Sequence, residues 1–236
     1  MVVLGVDSAT ADAVVGVTAD GEVVSEAQVG PGADGRPRHS QVLLPEIESS
    51  VDAAGGWVRI DRIAVGIGPG SFTGLRIGIA TTRALAQASG TPIAPVGTLS
   101  ALARGVSAQA GGNGALALPV IDARRGEVFA ALVEGDGSEI WPPLVATPSQ
   151  VADRVRKLDR APLAAGDGAL RFAAQLEAAG VTVAPPEDPI HRLAARHVCA
   201  IGEAAVEASP DWIQPLYLRP PDAKKWLERD RSDPGG

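Results

Sequence analysis

Two stretches of the chain follow one plan, and that repetition constrains the fold more than any other feature. Val2 to Val6 is a short apolar run ending at Asp7. The small-residue loop Ser8-Ala9-Thr10 follows, then a second apolar run, Ala13 to Ala19, the pair Asp20-Gly21, and a third run, Glu22 to Val29. From residue 120, VIDARRGEVFAALVEGDGSEIW repeats the plan, with Asp122 at a strand end and Asp136-Gly137 at the turn. Asp-Gly between apolar runs is a tight-hairpin signal. The two aspartates lie 13 residues apart in the first copy and 14 in the second. Residue identity between the copies is slight, so the repeat rests on pattern. Strands followed by helices, twice over, predict an α/β chain with two similar lobes.

The remaining elements follow from periodicity. Val42, Leu43, Ile47 and Val51 recur at helical spacing, predicting a helix over residues 38–53 in which Pro45 imposes a kink or a late start. A strand over 60–67, a helix ending near Ala88, a strand over 91–96 and a helix from Thr98 complete the first lobe, residues 1–106. The glycine-rich segment 107–117 marks the boundary to the second lobe, 107–236, whose last segment is expected to pack back on the first. Thr147-Pro148-Ser149-Gln150 is a capping box opening a helix to about Leu158. Leu163 to Ala165 reads as a short strand, 169–179 and 190–208 as helices, and the terminal SDPGG as disordered.

Composition excludes several function classes. With 236 residues, 45% hydrophobic and 21% charged, the chain is long enough for a sizeable core. A net charge of -7 repels phosphate backbones, and only three Phe, four Trp and one Tyr are available for base stacking. The single cysteine, Cys199, excludes an internal disulfide, suits a reducing cytoplasm, and lies in an apolar helical pattern that reads as a buried structural thiol. MVVLGVDSA reads as a strand rather than a leader, and no apolar run is long enough to span a membrane.

The densest motif is GIGPGSFTGLRIGIA, residues 66–80. It lacks the lysine of a Walker loop and fails the dinucleotide and nucleophile-elbow glycine patterns. What fits is a ladder: Gly70, Gly74 and Gly78 are four apart, on one face of a helix capped by Ser71. A face without side chains admits a close neighbour, from this chain or from a partner. Asp7 with Thr10, Asp122 with Arg124 and Arg125, and Gly166-Asp167-Gly168 are strand-end turns that would meet near one cleft. Each reads either as a contact to nucleotide phosphate or magnesium, or as a self-capping turn. His39, His191 and His197 form no metal-binding pair and read as surface or capping residues.

Five segments in order closely resemble the TsaB (YeaZ) family: VLGVDSATADAVVGV, RHSQVLLPEI, GPGSFTGLRIG with its flanks, IDARRGEVFAAL and PLYLRPPDAKKW. The resemblance implies the two-lobed actin-like ATPase fold, ribonuclease H-like, each lobe a mixed sheet with helices. It implies a non-catalytic scaffold and activator of a related catalytic subunit, TsaD. With the ATPase TsaE, that pair completes threonylcarbamoyl transfer to the adenosine beside the anticodon of certain transfer RNAs. Transfer RNA is then met only through the complex, and a homodimer is expected when the partner is missing.

The catalytic relative carries an H-x-x-x-H metal motif after its matching strand. Aligned on Pro95-Val96, this chain has Thr98 and Leu102 in those places, neither of which makes a metal site. The resemblance places the partner interface at Leu43, Ile47, Phe72, Gly74, Leu75, Arg76 and Gly78. Gly74→Leu is then expected to abolish pairing while the chain still folds. A degenerate nucleotide site would use Asp7, Thr10, Gly68, Gly70, Asp122 and Gly168, with weak ATP, ADP or magnesium but no required cofactor and no metal. The competing reading is an active ATP-dependent transferase or kinase, or a glycoprotease-like metallopeptidase, of the same fold.

Overall fold

The computed structural model describes residues 1–111 and 115–219. The SDPGG terminus and the second half of PLYLRPPDAKKW lie outside the described residues. In chain order, β1 (Val2–Asp7), β2 (Ala13–Ala19) and β3 (Glu22–Val29) lead into α1 (His39–Ala53). Then come β4 (Arg62–Gly68), α2 (Phe72–Ser89), β5 (Ile93–Gly97) and α3 (Thr98–Gln109). The second set is β6 (Leu116–Arg124), β7 (Glu127–Glu134), β8 (Glu139–Ala146), α4 (Pro148–Val155), β9 (Leu163–Ala165), α5 (Asp167–Arg171), α6 (Ala173–Glu177), β10 (Thr182–Val183) and α7 (Ala195–Ala204).

The repeat is real in topology. One sheet runs β3-β2-β1-β4-β5 and the other β8-β7-β6-β9-β10. In each, the first three strands are antiparallel neighbours and the last two join in parallel. The loops after Asp7 and Asp122 therefore occupy equivalent places.

Alternation along β1 shows why it is buried on both faces. Leu4 and Val6 join Ile63, Val65, Leu43, Ile47 and Ile79 in the core under α1 and α2. Val3 points the other way, into a core shared with Ala64, Val96, the second sheet's Ile121 and Phe129, and α7. The helices α3 and α7 pack on the sheet opposite to the one each follows, so the lobes interlock. Beyond α7, Ala208 donates to Ile93 O at 2.9 Å, Ile213 enters the first core and Leu216 donates to Ile67 O at 2.7 Å.

The α7 end has an internal cap. Arg62 on β4 donates to the carbonyls of Gly202, Glu203 and Ala205 at 3.0, 2.8 and 3.1 Å and pairs with Glu207 at 2.5 Å. A helix leaves its last carbonyls without intrahelical partners, and here one guanidinium takes them. Arg62→Met is expected to lower unfolding free energy by roughly 2–4 kcal/mol, read by urea denaturation, since charged hydrogen bonds at a nearly buried site are lost together.

Local differences have local reasons. Helix α1 starts at His39 and runs through Pro45 without a late start. The helix expected over 169–179 is two short ones meeting at Phe172, and that over 190–208 is a 3-10 turn (Pro189–His191) followed by α7. Thr147 and Gln150 form the expected capping box.

Candidate functional site

A cleft of about 330 Å³ opens between the sheets. Thr10 and the α2 entry, residues 70–73, form one wall; Asp122 to Arg125 form the other; Tyr217 and Arg219 close one end. Thr10, Asp122 and Asp167, from the three strand-end turns, thus line one cleft, and Gly70 lines it from the α2 entry. Asp7, Gly68 and Gly168 are not on its surface.

Asp7 sits behind that wall, 1% exposed. Its Oδ1 accepts from Ala9 N at 2.7 Å, the self-capping turn, and its Oδ2 accepts from Thr98 Oγ1 at 2.7 Å. Thr98 Oγ1 in turn accepts from Gly68 N at 3.2 Å. The latch ties β1 to the ends of β4 and β5. Gly66 must lack a side chain, because a Cβ there would fall 1.9 Å from Asp7 Oδ2.

Burial pushes the Asp7 carboxyl up to about 6, against the opposing pull of the Ala9 and Thr98 hydrogen bonds. Its folded pKa therefore lies above the unfolded value of 3.8, so folding favours the protonated form. That contribution is fully present below the unfolded value and is lost as pH rises through about 6. Wild type should lose about 3 kcal/mol from this group between acid and neutral pH, and Asp7→Asn should flatten that part of the profile in parallel denaturation curves.

Asp122 is held differently. Its Oδ1 accepts from Arg124 N at 2.9 Å, and its Oδ2 pairs with Arg171 at 2.7 Å and Arg124 at 3.3 Å. Its own N–H donates to Asp167 Oδ1 at 3.0 Å. Burial raises the Asp167 pKa. Arg124 and Arg125 both adopt positive φ, 63° and 57°, which turns the loop tightly toward the cleft. Gly168 packs on the β6 backbone beside Ile121 and Asp122.

The glycine ladder is answered within the chain. Ser71 caps α2, accepting from Gly74 N at 3.2 Å. A Cβ at Gly74 would lie 2.0 Å from Ser8 O, and one at Gly78 would lie 2.2 Å from Ser8 Oγ. Ser8 Oγ donates to Gly74 O at 2.8 Å. The β1–β2 loop therefore lies in the groove. Leu43, Ile47 and Leu75 are likewise buried in the chain's own core. This corrects the interface expectation: Leu43, Ile47, Gly74, Leu75 and Gly78 are consumed by folding. Of the seven residues, only Phe72, half-buried, and Arg76, exposed, reach the surface.

Several contributors escaped the sequence reading. Tyr217 stacks on Phe72 with ring centroids 5.1 Å apart, and the Arg76 guanidinium lies 3.9 Å over the Phe72 ring. Arg219 bridges to Glu127 at 2.8 Å and to Ala123 O at 3.1 Å. The only available signal was the PLYLRP string, which carries no spacing that assigns a partner. Of the histidines read as surface or capping residues, His39 and His191 are buried and bond backbone groups. His39 is buried with Nε2 3.2 Å from Asp12 O. His191 is buried, its Nε2 donating toward Ala184 O at 3.0 Å while Nδ1 accepts from Gly166 N at 3.2 Å. Cys199 is buried as expected, and burial lifts its thiol to about 11. Among the described residues no three His, Cys, Asp or Glu side chains gather as a metal site, and no helix is long and apolar enough to cross a membrane.

Comparison with known proteins adds identity to this geometry. A family model described as TsaD, tRNA N6-adenosine threonylcarbamoyltransferase, matches residues 33–202. The tRNA threonylcarbamoyladenosine biosynthesis protein TsaB of Escherichia coli K12 is 34% identical over 173 residues, covering 71% of this chain and 72% of that protein. An uncharacterized protein of Mycobacterium leprae is 33% identical over 94% of this chain, which spans only 56% of that relative's length. The solved structure of YeaZ from Pseudomonas aeruginosa superposes with a TM-score of 0.74 at 25% identity, over 92% of this chain and 99% of that one. A ROK hexokinase from Thermus thermophilus, 16% identical over 86% of this chain and 99% of its own, shares the fold at a TM-score of 0.52. The architecture is thus the two-lobed α/β fold of the actin-like ATPases and sugar kinases, and the chain belongs to the TsaB (YeaZ) family.

Proposed function

We propose that this chain acts in tRNA threonylcarbamoyladenosine biosynthesis as a non-catalytic subunit that binds and activates a TsaD-type catalytic partner, in concert with a TsaE-type ATPase. One observation carries the non-catalytic reading. The carboxylate at the tip of β1 is spent on a structural latch, with both oxygens taken by Ala9 N and Thr98 Oγ1. Thr98, which stands in the first metal-ligand place of the catalytic relative's motif, is the other half of that latch. Residues committed to one another in a buried site are not available to phosphate, magnesium or a catalytic metal. The acidic chain meets transfer RNA through its partner.

Docking falls on the outer faces of α1 and α2. Leu44 is 46% exposed, and Thr73, Arg76, Ala80 and Ala84 are exposed along α2. Small residues there let a partner helix approach closely, and the same faces serve a homodimer when the partner is missing. The competing reading is an enzyme driven by ATP at the cleft. Titration of the purified chain with ATP and magnesium decides between them. No turnover is expected from the chain alone, and robust turnover would overturn the non-catalytic assignment.

A further inference from the structure

A second groove lies away from the cleft, on the side where α3 and α7 cross beneath the β2–β3 and β7–β8 turns. Its volume is about 590 Å³, larger than the cleft between the sheets. Ala103, Val133, Ala200 and Ile201 supply an apolar lining. The rest of the lining is polar, with Ser100, Ser107, His197 and four charged side chains beside that apolar patch, so the groove suits a small polar molecule with a short apolar part.

The charged groups around it are of two kinds. Some are already engaged: Arg196 N donates to Glu26 Oε1 at 2.8 Å and its guanidinium pairs with the same carboxylate. Asp136 caps its own turn, accepting from Ser138 N at 2.9 Å and Ser138 Oγ at 2.7 Å. The others are not. Arg104 on α3 and Glu139 at the start of β8 are both exposed, and among the described residues the side chain of neither forms a hydrogen bond or an ion pair with a carboxylate or a cation. They line the same groove yet do not pair with each other. His197, on α7, is half-buried with its ring against Gly105 of α3; burial and the charges of Arg196 and Arg104 hold it down to about 4, so at neutral pH it is an uncharged ring.

We propose that this groove binds a small dipolar molecule of the amino-acid class, a free α-amino acid or a dipeptide, with its carboxylate on Arg104 and its ammonium on Glu139. A ligand carrying one charge satisfies only one of the two groups. A ligand carrying both joins them across the apolar lining, which receives the side chain. Neutral His197 adds a hydrogen-bonding ring without a competing charge. The inference is independent of the docking faces on α1 and α2.

The test is a nuclear magnetic resonance titration of the isotope-labelled full chain with L-alanine and with alanyl-alanine, against acetate and methylammonium as single-charge controls. Shifts are expected at the Gly135 and Gly137 amides and at the His197 ring, with a midpoint on the order of 1 mM for the dipolar probes. Arg104→Gln and Glu139→Gln should each weaken binding by about tenfold, as loss of a charge-assisted hydrogen bond requires. Both positions are exposed, so folding is unaffected. The absence of shifts at about 50 mM probe would overturn the proposal, as would variants that bind like wild type. Acetate binding as tightly as L-alanine would also contradict it, because the second charge would then contribute nothing.

Discussion

Gly74→Leu is expected to leave the chain unfolded, not merely unpaired. A Cβ at this position falls 2.0 Å from the carbonyl oxygen of Ser8, and the next nearest atoms belong to the buried His39 ring at 3.1 Å. The obstructing atom is backbone, fixed in the loop that leaves β1, so no side-chain rotation relieves it. That loop also carries the Asp7 turn and the Ser8 hydroxyl bonded to Gly74 O. Moving it breaks the latch. Overpacking a tight core ordinarily costs a few kcal/mol, and here a whole side chain meets backbone. The loss should reach about 4 kcal/mol or more, a large part of a domain's total stability. Even Gly74→Ala should be markedly destabilised. Ala84→Leu, on the exposed side of the same helix, is the control and should unfold with wild-type stability. Circular dichroism melts and soluble yield read the difference.

The contrast shows what could be read from residues alone. The doubled strand plan, the Asp-Gly hairpins, the capping box at Thr147 and the Ser71 cap all rest on spacing within a few residues. Short-range patterns like these reach the structure intact. The glycine ladder was equally legible as a groove, but spacing cannot name what fills it. The filler is Ser8, a residue 66 positions away from Gly74. Asp7 poses the same problem. A carboxylate at a strand tip suits a phosphate site or a self-capping turn, and the choice depends on Thr98, Gly66 and Gly68 arriving from other strands. Arg62 gripping the end of α7, and Tyr217 lying on Phe72, are likewise long-range pairings with no local signature. The break at Phe172 shows local periodicity failing in the other direction, since an apolar helical pattern there spans two short helices.

The second large effect is on assembly. With the glycine face consumed, the surface left to a partner is the outer one. Ala80→Arg and Leu44→Glu are each expected to weaken association with the TsaD-type subunit by roughly a hundredfold or more, because a charge is forced into a closely packed apolar contact. Neither should shift the melting temperature of the isolated chain appreciably, since exposed substitutions usually change stability by less than about 0.5 kcal/mol. Size-exclusion chromatography of the mixture, with light scattering, separates loss of pairing from loss of folding. Gly74→Leu fails both readouts and Ala80→Arg only the first. A full-strength complex with both outer-face variants would move the interface elsewhere on the chain.

In the proposed role, the chain is required by the transfer but does not perform it. The direct measurement is threonylcarbamoyladenosine formation on unmodified transfer RNA, supplied with threonylcarbamoyl adenylate, ATP, the TsaD-type subunit and the TsaE-type ATPase, with and without this chain. Product is expected only when this chain accompanies the catalytic subunit, and none is expected from this chain when that subunit is omitted. Equal product without this chain, or product from this chain in the catalytic subunit's absence, would rule out a required, non-catalytic role.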